Sequence, residues 1–86
     1  MLRLEYSERA KRDIHALPSQ KIKDQIESAL LRLAEHPDLG KLLKGNFSGF
    51  WSYRSGDYRI IYKVYKSELR ILVITVDDRR DVYRSR

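Results

Sequence analysis

The sequence predicts an α+β domain of order βααβββ, a mostly antiparallel sheet with a two-helix hairpin packed on one face. Three observations carry this. The first residues alternate apolar and charged, residues 7–36 repeat their apolar positions at helical spacing, and the chain after Pro37 breaks into short aromatic and β-branched runs punctuated by glycine. All 86 residues are expected to form one domain.

Each element has a local reason. Leu2, Leu4 and Tyr6 alternate with Arg3 and Glu5, the period of a half-buried strand. Ser7 is placed to cap a helix with Glu8 in its first turn, and Ala10, Ile14 and Leu17 line one stripe up to Pro18. Ser19 opens a second helix whose stripe, Ile22, Ile26, Ala29, Leu30 and Leu33, stops at His36-Pro37. Gly40, Gly45, Gly49 and Gly56 then mark loops and turns. Strands are expected near Phe50–Arg54, Tyr58–Tyr65 and Leu69–Val76, joined by hairpins at Ser55-Gly56-Asp57 and Lys66-Ser67-Glu68. The tail Asp81–Arg84 is read as a last short extended piece.

Strand parity separates structure from chemistry. Along Tyr58–Tyr65, the set Tyr58, Ile60, Tyr62 and Val64 is uncharged and belongs against the helices. Arg59 and Lys63 then fall on the open face, with Arg70 or its alternates added by the next strand and Arg79 and Tyr83 by the tail. A slip of one residue would bury Arg59 without a partner, at a cost of several kcal/mol.

Charge is distributed unevenly. Residues 1–40 hold seven Lys/Arg and seven Asp/Glu, whereas residues 41–86 hold eleven against five, so the whole surplus of +6 lies in the second half. Seven of the nine aromatics lie there too, within the nineteen residues from Phe47 to Tyr65. Interleaved cations and aromatics suit phosphate pairing and stacking on unpaired bases; a solvated basic face over core aromatics accounts for the same composition. The chain has no cysteine, which argues against a disulfide-framed secreted scaffold and for a reducing cytoplasm. Neither a signal peptide nor a membrane span is expected, and the two histidines, His15 and His36, lack partners at metal-ligand spacing. No Walker-type loop, Gly-x-Ser-x-Gly or HExxH motif supports nucleotide hydrolysis, serine hydrolysis or zinc proteolysis.

Three motifs carry a family resemblance: Leu43-Lys44-Gly45, the run Trp51-Ser52-Tyr53-Arg54-Ser55-Gly56-Asp57-Tyr58-Arg59-Ile60-Ile61-Tyr62, and Val76-Asp77-Asp78-Arg79-Arg80-Asp81-Val82-Tyr83. In these, in length and in element order, the chain resembles the RelE branch of the RelE/ParE toxin superfamily, the toxins of type II toxin–antitoxin pairs. RelE-like members enter the ribosomal A site and cut mRNA, whereas ParE-like members inhibit DNA gyrase. The resemblance implies a RelE-like fold, a cognate antitoxin protein as partner in a toxin–antitoxin hetero-oligomer, action on the ribosome with mRNA, no membrane, and no cofactor.

Carried over by motif, the family's strand arginine falls on Arg59, its C-terminal arginine on Arg79, its terminal tyrosine on Tyr83 and its turn cation on Lys44. The implied chemistry is metal-free: the 2′-hydroxyl attacks the adjacent phosphorus and leaves a 2′,3′-cyclic phosphate. Arg59 would offset charge on the phosphorane with its two-pronged guanidinium. Arg79 would hold the phosphate or favour departure of the 5′-oxygen. Tyr83 would accept the 2′-proton, since nearby cations lower a phenol from its ordinary pKa of ~10. Lys44, Arg54, Lys63 and Arg80 are expected to bind RNA.

This sequence also departs from the pattern. Asp77-Asp78-Arg79 stands where many members have Gly-His-Arg, placing two carboxylates beside the expected phosphate site. Lysines that some relatives carry before the Gly-x-Tyr turn are replaced by Trp51, Ser52 and Tyr53. Asp57 and Asp78 are alternative bases. Alternative readings of the whole chain are a ParE-like gyrase inhibitor, a decayed toxin that binds only its antitoxin, and a plain nucleic-acid-binding module.

Overall fold

A computed structural model describes residues 1–45 and 49–78 of the chain. Five strands, β1 (Arg3–Tyr6), β2 (Lys41–Leu42), β3 (Trp51–Ser55), β4 (Tyr58–Tyr65) and β5 (Arg70–Asp78), form one sheet in the order β1-β5-β4-β3-β2. β1 pairs with β5 in parallel, and the other three pairings are antiparallel. Helices α1 (Glu8–His15) and α2 (Gln20–Glu35) pack on one face.

Both helices start where the serines demand. Ser7 Oγ accepts from the Ala10 N–H at 2.9 Å, and Ser19 Oγ from the Ile22 N–H at 3.2 Å, so each satisfies a donor that the first helical turn cannot. The buried stripe of α2, Ile26, Ala29, Leu30, Leu33 and Ala34, meets the uncharged face of β4 and β5. There Tyr58, Ile60, Tyr62, Ile71, Val73 and Val76 are buried, as parity requires for β4. Trp51 stacks on Tyr62 with ring centroids 6.2 Å apart, an inward-facing pair on opposed positions of β3 and β4.

Two features depart from the expected order. β2 is an additional strand of two residues, too short to show an alternation in sequence. β5 runs to Asp78 and carries a bulge: Tyr62 opposes Val73, but its neighbour Ile61 opposes Thr75, leaving Ile74 as the extra residue. The bulge resets the parity of β5. Simple alternation from Arg70 would send Val76 outward, whereas Val76 is buried and Thr75 and Asp77 lie opposite the open-face residues Ile61 and Arg59. The expected extended piece at Asp81–Arg84 lies outside the described residues.

Candidate functional site

The register lays residues of opposite origin side by side on the open face. Arg54 of β3 is directly opposite Arg59 of β4, and Arg59 is directly opposite Asp77 of β5. Side chains so paired project on the same side with Cβ atoms about 4.5–5.5 Å apart. The Gly56 turn, at φ +60°, closes the β3–β4 hairpin just beyond the two arginines, a left-handed conformation that favours glycine. Arg54 Nε donates to the Gly56 carbonyl at 3.4 Å, which ties that side chain to the turn. Arg59 is exposed and makes no ion pair among the described residues.

A groove of about 560 Å³ runs beside these arginines, lined by Leu39, Gly40, Lys41, Leu43, Ser52, Tyr53, Arg54 and Arg59. Arg59 also borders an apolar hollow of about 370 Å³ formed with Leu43, Phe50, Ile61, Ile74 and Thr75. Three cations therefore border a surface of mixed polar and apolar character, an arrangement that can bind a phosphate while accommodating a base. Within the apolar hollow, Thr75 Oγ1 is buried with no hydrogen-bond partner among the described residues.

The remaining expected residues are spread around this centre. Lys44 is exposed immediately after Leu43, which like Arg59 lines both hollows. Lys63 lies four positions along β4 from Arg59, roughly 13 Å away at strand rise. Its ammonium sits 5.1 Å from the Phe50 ring centroid and 5.7 Å from that of Tyr65, a cation–aromatic group that meets the apolar hollow beside Arg59 through Phe50. Arg70 joins the same group, 4.0 Å over Tyr65, and is held by Glu68 at 2.7 Å and Glu5 at 2.9 Å. The Glu68 hydrogen bond is the chief cause of its raised pKa, with burial opposing and Glu5 reinforcing. Arg79, Arg80 and Tyr83 lie outside the described residues.

Sequence reasoning missed two contributors. Lys41 reaches the groove because β2 pairs it with Ser52, a contact that a two-residue strand does not announce. Arg9 of α1, absent from the expected site residues, bridges Asp77 at 3.2 Å and lies 3.7 Å from Asp13. One of the two carboxylates beside the expected phosphate site, Asp77, is thus met by a helix residue 68 positions earlier in the chain.

Residues 4–83 match the family described as "ParE toxin of type II toxin-antitoxin system, parDE". The chain belongs to this toxin family. Among relatives of this RelE/ParE-type toxin, Toxin RelG of Mycobacterium tuberculosis is 34% identical over 76 residues, covering 87% of each chain. The toxin–antitoxin complex RelBE2 from the same organism contains a chain with TM-score 0.81 and 29% identity, over 91% of this chain and 98% of that one. The isolated Escherichia coli RelE toxin has TM-score 0.78 at 23% identity, over 99% and 94%, and attests the shared fold.

A third hollow of the toxin, about 430 Å³, lies between α1, α2 and the end of β1, lined by residues that include Tyr6, Ile14, Ile26 and Leu30. Burial, with Glu27 nearby, raises the Tyr6 phenol above its usual value and keeps it neutral. Among the described residues, no group of three or more His, Cys, Asp or Glu could hold a metal ion, and no helix is long and apolar enough to cross a membrane.

Proposed function

We propose that this toxin is a ribosome-dependent mRNA endonuclease that cuts in the A site by metal-free attack of the 2′-hydroxyl. The observation that carries the reading is the state of Arg59: exposed, without an ion pair among the described residues, and at the meeting point of both hollows on the open face. A fixed guanidinium there can grip two non-bridging oxygens and offset the charge that builds on phosphorus. Arg54 and Lys41 add positive charge along the groove, and Lys44 holds the RNA backbone at its rim.

In the reaction the 2′-oxygen forms a bond to phosphorus as the bond to the 5′-oxygen breaks. Tyr83 takes the 2′-proton, Arg79 holds the phosphate, Arg80 binds the RNA alongside, and the departing 5′-oxygen takes a proton from water. The roles of Tyr83 and Arg79 rest on the motif resemblance. A cognate antitoxin is the cellular partner, supported by the +6 surplus and by the solved relative that is a toxin–antitoxin complex.

The test is primer extension on a defined mRNA in programmed ribosomes with an open A site, with wild type beside Arg59→Ala. Cleavage within the A-site codon that is lost in the variant is the expected result. The family description names ParE, so gyrase inhibition is the competing reading, and uncut mRNA from a protein that still arrests growth would favour it. Uncut mRNA without arrest would indicate a toxin that retains only antitoxin binding.

A further inference from the structure

Asp77 poses a problem for the open face that the geometry also resolves. It lies opposite Arg59 in the β4–β5 register, the position from which a carboxylate pairs with a guanidinium across antiparallel strands. That pairing is not made: Asp77 Oδ1 receives instead a hydrogen bond from Arg9 Nη2 at 3.2 Å. The Arg9 Nε is 3.7 Å from Asp13 Oδ2, and the same Asp13 oxygen accepts the Val76 N–H at 3.0 Å. Arg9 is thereby held over the C-terminal end of β5 by one carboxylate while it engages the other.

The geometry points to Arg9 as a positioning residue that engages Asp77 and so keeps Arg59 available for the scissile phosphate. The inference rests on the reading of Arg59 as the phosphate-binding group. It explains how an aspartate can stand beside an anion-binding site: the carboxylate already has a cation, supplied from the helical layer. With side chains 60% and 35% exposed, the Arg9–Asp77 pair adds little to stability, so its loss should be read in the site and not in the fold.

Without Arg9, Asp77 is left to pair with Arg59, the guanidinium opposite it in the β4–β5 register, and only the fraction of molecules with a free Arg59 can engage RNA. An exposed pair of ordinary strength lowers that fraction by roughly two- to sixfold. The experiment compares single-turnover cleavage on programmed ribosomes by wild type, Arg9→Ala, Asp77→Asn and the double variant, with the Arg59 Nε–H resonance followed in each free protein. Arg9→Ala is expected to slow cleavage within that range and shift the resonance. Adding Asp77→Asn should restore both, a rescue that a merely structural role for Arg9 does not give. Alanine is the best helix former, so α1 should tolerate it, and Arg9→Lys should recover the rate by keeping a cation at Asp77.

A rate loss that persists in the double variant, or an Arg59 resonance unmoved by Arg9→Ala, overturns the inference. Arg59→Ala run in parallel separates the two levels. If it cuts like wild type, the phosphate-binding reading fails, and the resonance still decides whether Arg9 governs the Asp77–Arg59 contact.

Discussion

The Tyr62 hydroxyl donates to the Pro37 carbonyl at 2.7 Å and accepts from the Gly40 N–H at 3.2 Å, joining the central strand of the sheet to the turn that follows α2. Both partners belong to the segment that leads into the groove beside Arg59. Tyr62→Phe leaves the two backbone groups without this partner and should cost about 1–3 kcal/mol, read as a lower urea midpoint.

The same tyrosine makes stability fall in alkali. Burial above all, opposed by the Gly40 hydrogen bond and reinforced by Asp38 and Tyr53, pushes its pKa up to about 12. The folded state therefore keeps a proton that the unfolded chain releases near pH ~10. The contribution is complete below pH ~10 and is lost as pH rises from there through about 12, on the order of 2 kcal/mol in all. Urea midpoints measured across this range should fall more steeply for wild type than for Tyr62→Phe.

Gly40 is required for room and not for backbone freedom, since its φ is an ordinary −78°. A Cβ there would meet the Tyr62 hydroxyl at 2.5 Å and the Ser52 carbonyl oxygen at 2.8 Å. Gly40→Ala should destabilise by about 1–3 kcal/mol. In a Tyr62→Phe background the first clash disappears and the second stays, so thermal melts of the pair should show a smaller but nonzero penalty for alanine.

Leu69, a residue 66% exposed, adopts a left-handed conformation, φ 53° and ψ 45°. The cost of that conformation in a residue with a branched side chain is about 1–2 kcal/mol, and little burial offsets it. Leu69→Asn should stabilise by about 0.5–1 kcal/mol and raise Tm by roughly 2–8 °C.

Thr75 offers another gain. Its buried hydroxyl has no partner among the described residues, and the β-branched shape is all that the strand needs from it. Thr75→Val should stabilise by about 1 kcal/mol, measured by denaturant unfolding. An unchanged or lower midpoint would mean that the hydroxyl is satisfied.

Arg59→Lys keeps the charge and loses the fork. Cleavage on the ribosome should fall roughly 10- to 100-fold while salt-dependent RNA binding changes little. Growth arrest equal to wild type would remove the transition-state role from Arg59.

Sequence reading succeeded where a rule is local. Ser7 and Ser19 cap as their neighbours imply, and period two along β4 sorts Tyr58, Ile60 and Tyr62 inward from Arg59. It failed where a feature depends on a partner strand or a distant segment. Nothing in the run Arg70–Asp78 marks Ile74 as the extra residue of a bulge, because all of its neighbours suit a strand on either face. Arg9 and Asp77 meet only after the whole sheet has formed, and the two residues of β2 are strand-like solely through their pairing with β3.

Past Tyr6, the outer edge of β5 has lost its neighbouring strand, and α1 takes over that duty. The Ser7 N–H reaches the Val73 carbonyl at 2.9 Å, the Ser7 hydroxyl donates to the Ile74 carbonyl at 2.6 Å, and Asp13 accepts the Val76 N–H. A helix terminus and one carboxylate thus complete a ladder that would otherwise stand open as a template for another chain. The economy is colloidal: a small basic protein is spared the docking of copy upon copy along the exposed edge of β5 by three contacts, two from the Ser7 cap and one from Asp13 further along α1.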